Sequence, residues 1–168
     1  MEVGVLKDKE DSEPLENNKK HRTGIQKLFY ISNISRPYIS SAVGRLHRRV
    51  DSPAKKNLNA VKRIGQYSKR TADFELLLLA CKDAKLIGYM DANWAEDQKD
   101  RKSTSCYAFF NGGEVITWMS RKQSIAASSS TEAEYISVAQ ACQEVWLHKL
   151  LEDFKINEAK PTIMYEDN

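Results

Sequence analysis

The amino-acid sequence predicts an α/β protein whose first part is helical and basic and whose second part carries the strands. Three observations predict it. The apolar residues recur every three or four positions up to Ala72 and then fall into extended runs. An Asn111-Gly112-Gly113 turn divides two of those runs, and a long amphipathic stretch over 131–154 separates them from a last one. The order is helices, three or four strands, a long helix, and one strand, which is the pattern of a sheet with helices packed on it.

Residues 1–20 are polar, without an apolar period after Leu6, and read as a disordered lead-in. From Thr23 the spacing of Ile25, Leu28, Phe29 and Ile31 predicts a first helix, stopped by Arg36-Pro37. A second, Tyr38 to Val50, would bury Ile39, Ala42, Val43 and Leu46. Ser52 can cap a third at its start, with Pro53 in the first position, where a missing N–H costs nothing. That helix would put Leu58, Val61, Ile64 and Tyr67 on one side.

Phe74 to Leu79 reads as a short strand, Lys82-Asp83-Ala84 as a turn and Leu86 to Asp91 as its partner strand. Ser105–Phe110 and Glu114–Met119 form an antiparallel hairpin around the glycine turn. The 131–154 helix, about 36 Å long at 1.5 Å per residue, would bury Tyr135, Val138, Ala139, Cys142, Val145, Trp146 and Leu150. Ser129 with Glu132, and Thr131 with Glu134, each fit a capping box at its start. Thr162–Tyr165 is the final strand.

Composition narrows the function. The chain has 168 residues, 41% of them apolar and 29% charged, which is globular and too short for a polymerase. No apolar run approaches the roughly 20 residues that span a bilayer, and no signal peptide opens the chain, so no membrane partner is expected and an intracellular, soluble protein is. Cys81, Cys106 and Cys142 follow no metal or redox spacing and read as reduced packing residues. The net charge of +3 conceals a division. Residues 21–72 hold twelve Lys/Arg against Asp51 alone, a net +11, whereas 73–168 hold ten against sixteen Asp/Glu, a net −6. A basic segment beside an acidic one suits a phosphate backbone held next to a carboxylate metal site, with Arg45, Arg48, Arg49, Lys55, Lys62 and Arg63 as candidate backbone contacts. Solvated helix faces are the plainer explanation of the same residues.

Asp91, Glu134 and Asp167 each sit at a strand or helix end beside apolar sequence. Phosphodiester hydrolysis by two metal ions needs carboxylates from separate elements to converge, because Mg²⁺ prefers oxygen ligands. Spacing alone also allows a turn aspartate, a capping glutamate and a loop aspartate.

The words around these residues carry more. Gly88 to Phe110, GYMDANWAEDQKDRKSTSCYAFF, then Trp118-Met119-Ser120-Arg121-Lys122-Gln123, then Ser128-Ser129-Ser130-Thr131-Glu132-Ala133-Glu134-Tyr135, resemble in sequence and order the ribonuclease H domain of copia-type long-terminal-repeat retrotransposons. Upstream, Ser35-Arg36-Pro37, Ala42-Val43-Gly44-Arg45-Leu46 and Asn59-Ala60-Val61-Lys62-Arg63-Ile64 resemble the helical tail of the reverse transcriptase that precedes it. The resemblance covers about residues 21–168. It implies a basic tail over 21–72 and a ribonuclease H-like mixed sheet over 73–168. It also implies cleavage of the RNA strand of an RNA·DNA hybrid, weak or absent in this chain if the domain is truncated, and two Mg²⁺ or Mn²⁺ ions in the complete domain, held by Asp91, Glu134 and Asp167. The remainder of a Pol polyprotein would be the other partner, and a cytoplasmic virus-like particle or the nucleus the location. The fold's remaining helix, last strand and fourth carboxylate would lie beyond Asn168, and the polymerase aspartates upstream of Met1. Asn93, Glu96, Cys106, Tyr38 and Glu166 depart from the family's usual residues, and Asn93 removes a charge two residues from Asp91. A non-catalytic transposon remnant or a domesticated nucleic-acid-binding protein is the alternative, with a helix-turn-helix reader over 38–70 a third. Trp94, Trp118 and Trp146 are expected to pack rather than to stack on bases.

Overall fold

The computed structural model describes residues 13–78, 85–142, 146–155 and 161–166. They fall into two compact units divided between Glu75 and Leu76.

The first unit is helical: α1 (Lys19–Ile34), a 3-10 turn at Pro37–Ile39, α2 (Ser40–His47) and α3 (Lys55–Arg70). Its core is Ile25, Leu28, Ile39, Val43, Leu46, Val61 and Ile64, the helical period expected from sequence. Phe29 and Tyr67, expected on the buried faces, are instead substantially exposed, and Ser32 and Asn57 are buried. α1 and α3 approach so closely that a Cβ on Gly24 would stand 2.6 Å from Val61 Cγ1. Residues 13–18 of the expected lead-in are held in place: the Leu15 N–H donates to the Pro53 carbonyl (2.9 Å) and the Lys55 N–H to the Glu13 carbonyl (3.0 Å). These bonds tie it to the α2–α3 turn, and α1 starts at Lys19, four residues before the expected Thr23. α3 begins two residues later than expected, since Ala54, not Ser52, is its cap residue, and the Asn57 side chain accepts from the Ala54 N–H (2.9 Å). Arg36 closes its other end. Its guanidinium donates to the carbonyls of Thr71 (2.6 Å) and Ala72 (3.3 Å), just past the point where the helix stops.

The second unit is a four-stranded mixed sheet in the order β3-β2-β1-β4, built from β1 (Leu86–Asn93), β2 (Thr104–Asn111), β3 (Glu114–Lys122) and β4 (Ile163–Glu166), with α4 (Ser130–Ala141) and α5 (Trp146–Asp153). β2 and β3 are the expected hairpin, with φ of 63° at Gly112 and 92° at Gly113. β4 runs parallel to β1, Ile87 facing Ile163 and Met90 facing Glu166. Phe74–Leu78 is not a strand and pairs with nothing in the sheet, while residues 79–84, including Cys81 and the expected turn, lie outside the described residues.

β1 alternates as a half-buried strand should. Leu86, Gly88, Met90 and Ala92 are buried, whereas Tyr89, Asp91 and Asn93 are exposed. The buried face packs with Phe109, Ala141, Leu147 and Leu151 in one cluster and with Ala127 and Ala133 in a second. The expected stripe on the 131–154 segment is rotated from the one observed. Tyr135 is 72% exposed and Trp146 53%, while Ala133, Ser137, Ala141, Leu147 and Leu151 are buried. Small side chains let the helix lie close on the sheet, and that closeness, not the size of the apolar residues, sets its phase. Residues 143–145, between α4 and α5, lie outside the described residues.

Candidate active site

Asp91 and Glu134 occupy neighbouring elements. Asp91 is in β1, on the exposed side that also carries Tyr89 and Asn93, and it faces Cys106 of β2 in register. Glu134 is half-buried in the first turns of α4. The two elements are joined by a hydrogen bond to the backbone of Asp91: Ser137 Oγ, three residues beyond Glu134, donates to the Asp91 carbonyl at 3.0 Å. Asp167 lies outside the described residues; the last described residue of β4, Glu166, is level with Met90, the neighbour of Asp91. No group of three or more His, Cys, Asp or Glu positioned for a metal ion occurs among the described residues.

The start of α4 is fixed by its cap. Ser129 Oγ accepts from the Glu132 N–H (3.1 Å) and Glu132 Oε2 accepts from the Ser128 N–H (2.6 Å), so the box closes on Ser128 rather than on the cap residue itself. The hydroxyl and N–H of Ser128 hold the Glu132 carboxyl below its ordinary pKa. The cap of α4 is Ser129, so of the two expected boxes the helix starts at the Ser129–Glu132 pair and not at Thr131.

Behind Asp91 lies a buried polar seam that sequence reasoning missed. Ser103, Thr104, Ser105, Gln123 and Ser137 are each no more than 1% exposed. Gln123 Nε2 donates to Ser105 Oγ (2.9 Å) and to the Ala133 carbonyl (2.8 Å), and its backbone N–H donates to the Ser103 carbonyl (2.9 Å). Ser103 Oγ accepts from the N–H of Ala95 (3.1 Å), which holds that non-glycine residue at a φ of 50°. Trp94 Nε1 donates to the Ala127 carbonyl (3.1 Å) although the ring is 47% exposed; with Trp146 it departs from the packed role expected of the tryptophans. The signal was available. A glutamine and a run of small hydroxyl residues flanked by strand sequence have to be paired when buried.

Two basic residues of the same words are structural. Lys122 Nζ bridges Asp97 (2.6 Å) and Asp100 (2.8 Å). Burial pulls its pKa down, but the two carboxylates outweigh that and hold it above the ordinary lysine value, while the same contact holds Asp100 low. Lys102 Nζ donates to the Ser124 carbonyl (2.6 Å).

In the helical unit Lys62 and Arg63 are exposed on α3. Arg45 is half-buried and donates to Ser41 Oγ (3.2 Å), Arg48 and Arg49 are half-buried after α2, and Lys55 is ion-paired with Glu13. The six candidate backbone contacts are thus not one uniform exposed row. No described helix is long and apolar enough to cross a membrane.

The chain is 37% identical over 131 residues to secreted RxLR effector protein 161 of Plasmopara viticola, covering 77% of this chain and 92% of that protein. It is 38% identical over 149 residues to the retrovirus-related Pol polyprotein from transposon RE1 of Arabidopsis thaliana, and 34% identical over 149 residues to that from transposon TNT 1-94 of Nicotiana tabacum. Each of these alignments covers 88% of this chain, which spans only 10% and 11% of the two polyproteins. No family model and no solved structure matches. This similarity over 149 residues places the chain in the family of copia-type retrovirus-related Pol polyproteins of transposons.

Proposed function

We infer that the sheet unit is ribonuclease H-like and that it hydrolyses the RNA strand of an RNA·DNA hybrid as part of a Pol polyprotein. The observation that carries this reading is the junction of β1 and α4: the strand bearing Asp91 and the helix bearing Glu134 are joined through Ser137, with β4 parallel beside β1. Asp91 and Glu134 offer only oxygen donors, which fits hard Mg²⁺ or Mn²⁺ ions; Asp167 is the third ligand in this proposal. When bound, two such ions supply Lewis-acid stabilisation of the charge that develops on the phosphodiester. The chain's own part is to hold that charge site at the edge of β1 and to bind the nucleic-acid backbone by exposed cations such as Lys62 and Arg63.

The test is cleavage of a labelled RNA strand annealed to DNA. Mg²⁺-dependent cutting that Asp91→Asn abolishes is expected. Cutting that survives in that variant, or without divalent metal, sinks the assignment.

The net +11 of residues 21–72 favours a second reading, a non-catalytic nucleic-acid-binding protein. It expects binding that weakens steeply with salt, is indifferent to sequence and is unaffected by Asp91→Asn.

A further inference from the structure

We propose that Gln123 and Ser137 are positioning residues that lock the start of α4 onto β1 and β2 and so set where Glu134 stands relative to Asp91. The proposal rests on the metal-site reading above, but its geometry does not.

The two ties lie four residues apart on the buried side of one helix. Gln123 reaches the carbonyl of Ala133, the residue before Glu134, and Ser137 reaches the carbonyl of Asp91 itself. Ala133 and Ser137 are both fully buried, and Glu134 falls between them in sequence. One tie alone would let the helix pivot. Two, one to β1 and one to the residue that follows β3 and is itself bonded to Ser105 of β2, fix its rotation and its height over the sheet. The orientation of the Gln123 amide is dictated by chemistry: a carbonyl can only accept, so the atom facing Ala133 must be the NH₂ group. Both N–H bonds of that group are then used, the second on Ser105. The remaining Oε1 is buried without a hydrogen-bond partner among the described residues. A glutamine spent in this way contributes directional donors, which an aliphatic side chain of the same volume could not. The same logic makes Ser137 more than a small residue that permits close packing, since alanine would pack equally well but leave the Asp91 carbonyl without this donor.

Metal ligands tolerate little displacement, and removing the groups that orient them costs about tenfold or more in metal affinity. The experiment is Mn²⁺ titration of the full chain, alongside hydrogen exchange of the Ala133–Val138 amides, for wild type, Gln123→Met, Ser137→Ala and Ser103→Ala. Ser103→Ala loses a comparable buried hydrogen bond, to the Ala95 N–H, without touching α4.

A roughly tenfold weaker Mn²⁺ affinity in Gln123→Met and in Ser137→Ala, with faster exchange at those amides and neither effect in Ser103→Ala, is the expected result. Wild-type affinity in both variants overturns the proposal and leaves the metal site standing. If the wild type binds no Mn²⁺, the metal-site reading fails and exchange alone decides. Faster exchange confined to the two α4 variants then upholds the positioning role, and unchanged exchange, or an equal effect of Ser103→Ala, refutes it. Should Gln123→Met fail to fold, Ser137→Ala carries the same comparison.

Discussion

The helical unit and the sheet unit keep their interiors in different ways. In the first, the buried centre is aliphatic, from Ile25 on α1 through Val43 and Leu46 on α2 to Ile64 on α3. Of its buried polar residues, Ser32 and Asn57 bond to nearby backbone, while His21 has no hydrogen-bond partner on either ring nitrogen among the described residues. In the second, the apolar clusters share the interior with hydroxyls and one amide that bond to each other and to backbone carbonyls. Aliphatic contact is non-directional and tolerates sliding, whereas hydrogen bonds fix position. In this chain the helical segment therefore mostly encodes packing, and the sheet segment encodes placement of one helix against one strand.

The largest test of this contrast is Ile64→Ala, which should destabilise the helical unit by about 2–5 kcal/mol through lost contact and a residual cavity. All three tryptophans, Trp94, Trp118 and Trp146, belong to the sheet unit, so their fluorescence reports on that unit alone. Far-UV dichroism should show an earlier transition in the variant while the fluorescence midpoint stays put. Equal movement of both signals would mean that the two regions unfold as one block.

Gly24→Ala comes next. A methyl group there meets Val61, so a substitution that ordinarily favours a helix should here cost about 1–3 kcal/mol. A neutral or stabilising result in urea titration would show that α1 and α3 slide apart at little cost.

Acid should divide the units by pH. Burial lowers the His21 pKa, so the unfolded chain takes up a proton that the folded one does not. Stability from this source is complete above about pH 6.5 and falls as the pH drops through that value toward the lower folded pKa. In the sheet unit, Asp100 and Glu132 have lowered carboxyl pKa values, so their contribution persists to more acidic pH and is lost only below the ordinary carboxylate range. Between pH 7.5 and 5.5 the dichroism midpoint should fall and the fluorescence midpoint hold, and His21→Leu should remove most of the fall. An unaltered pH dependence in that variant would place the titrating group elsewhere.

The smallest effect belongs to Arg22→Ala. Its 3.0 Å ion pair with Asp51 is exposed on both sides and should be worth under about 1 kcal/mol, vanishing in high salt.

How much of this could be read from the residues alone follows from the same contrast. Periodic aliphatic residues announce their own burial, which is why Ile25, Val43, Leu46, Val61 and Ile64 and the Gly112-Gly113 hairpin were legible. Tyr135 and Trp146 misled because size suggested burial, while the helix docks through Ala133, Ser137 and Ala141. Phe74 to Leu78 is apolar enough for a strand, yet no neighbour in the sheet pairs with it, and pairing is a property that a local pattern does not contain. Asp91 and Glu134 were legible as carboxylates at element ends, but Gln123 was not, since its importance lies in contacts with residues 105 and 133.

The parallel pairing of β4 bears on the order of assembly. The β2–β3 hairpin joins residues close in the chain and can form early, whereas Ile87 meets Ile163 only after the intervening hairpin and helices have been laid down. Until then one side of β1 presents unpaired backbone donors and acceptors, the kind of edge on which a nascent chain recruits a stray strand. Closing that edge is thus a slow, long-range event, and during synthesis the stretch from Ile87 to Met90 would be the part of the sheet most in need of shelter.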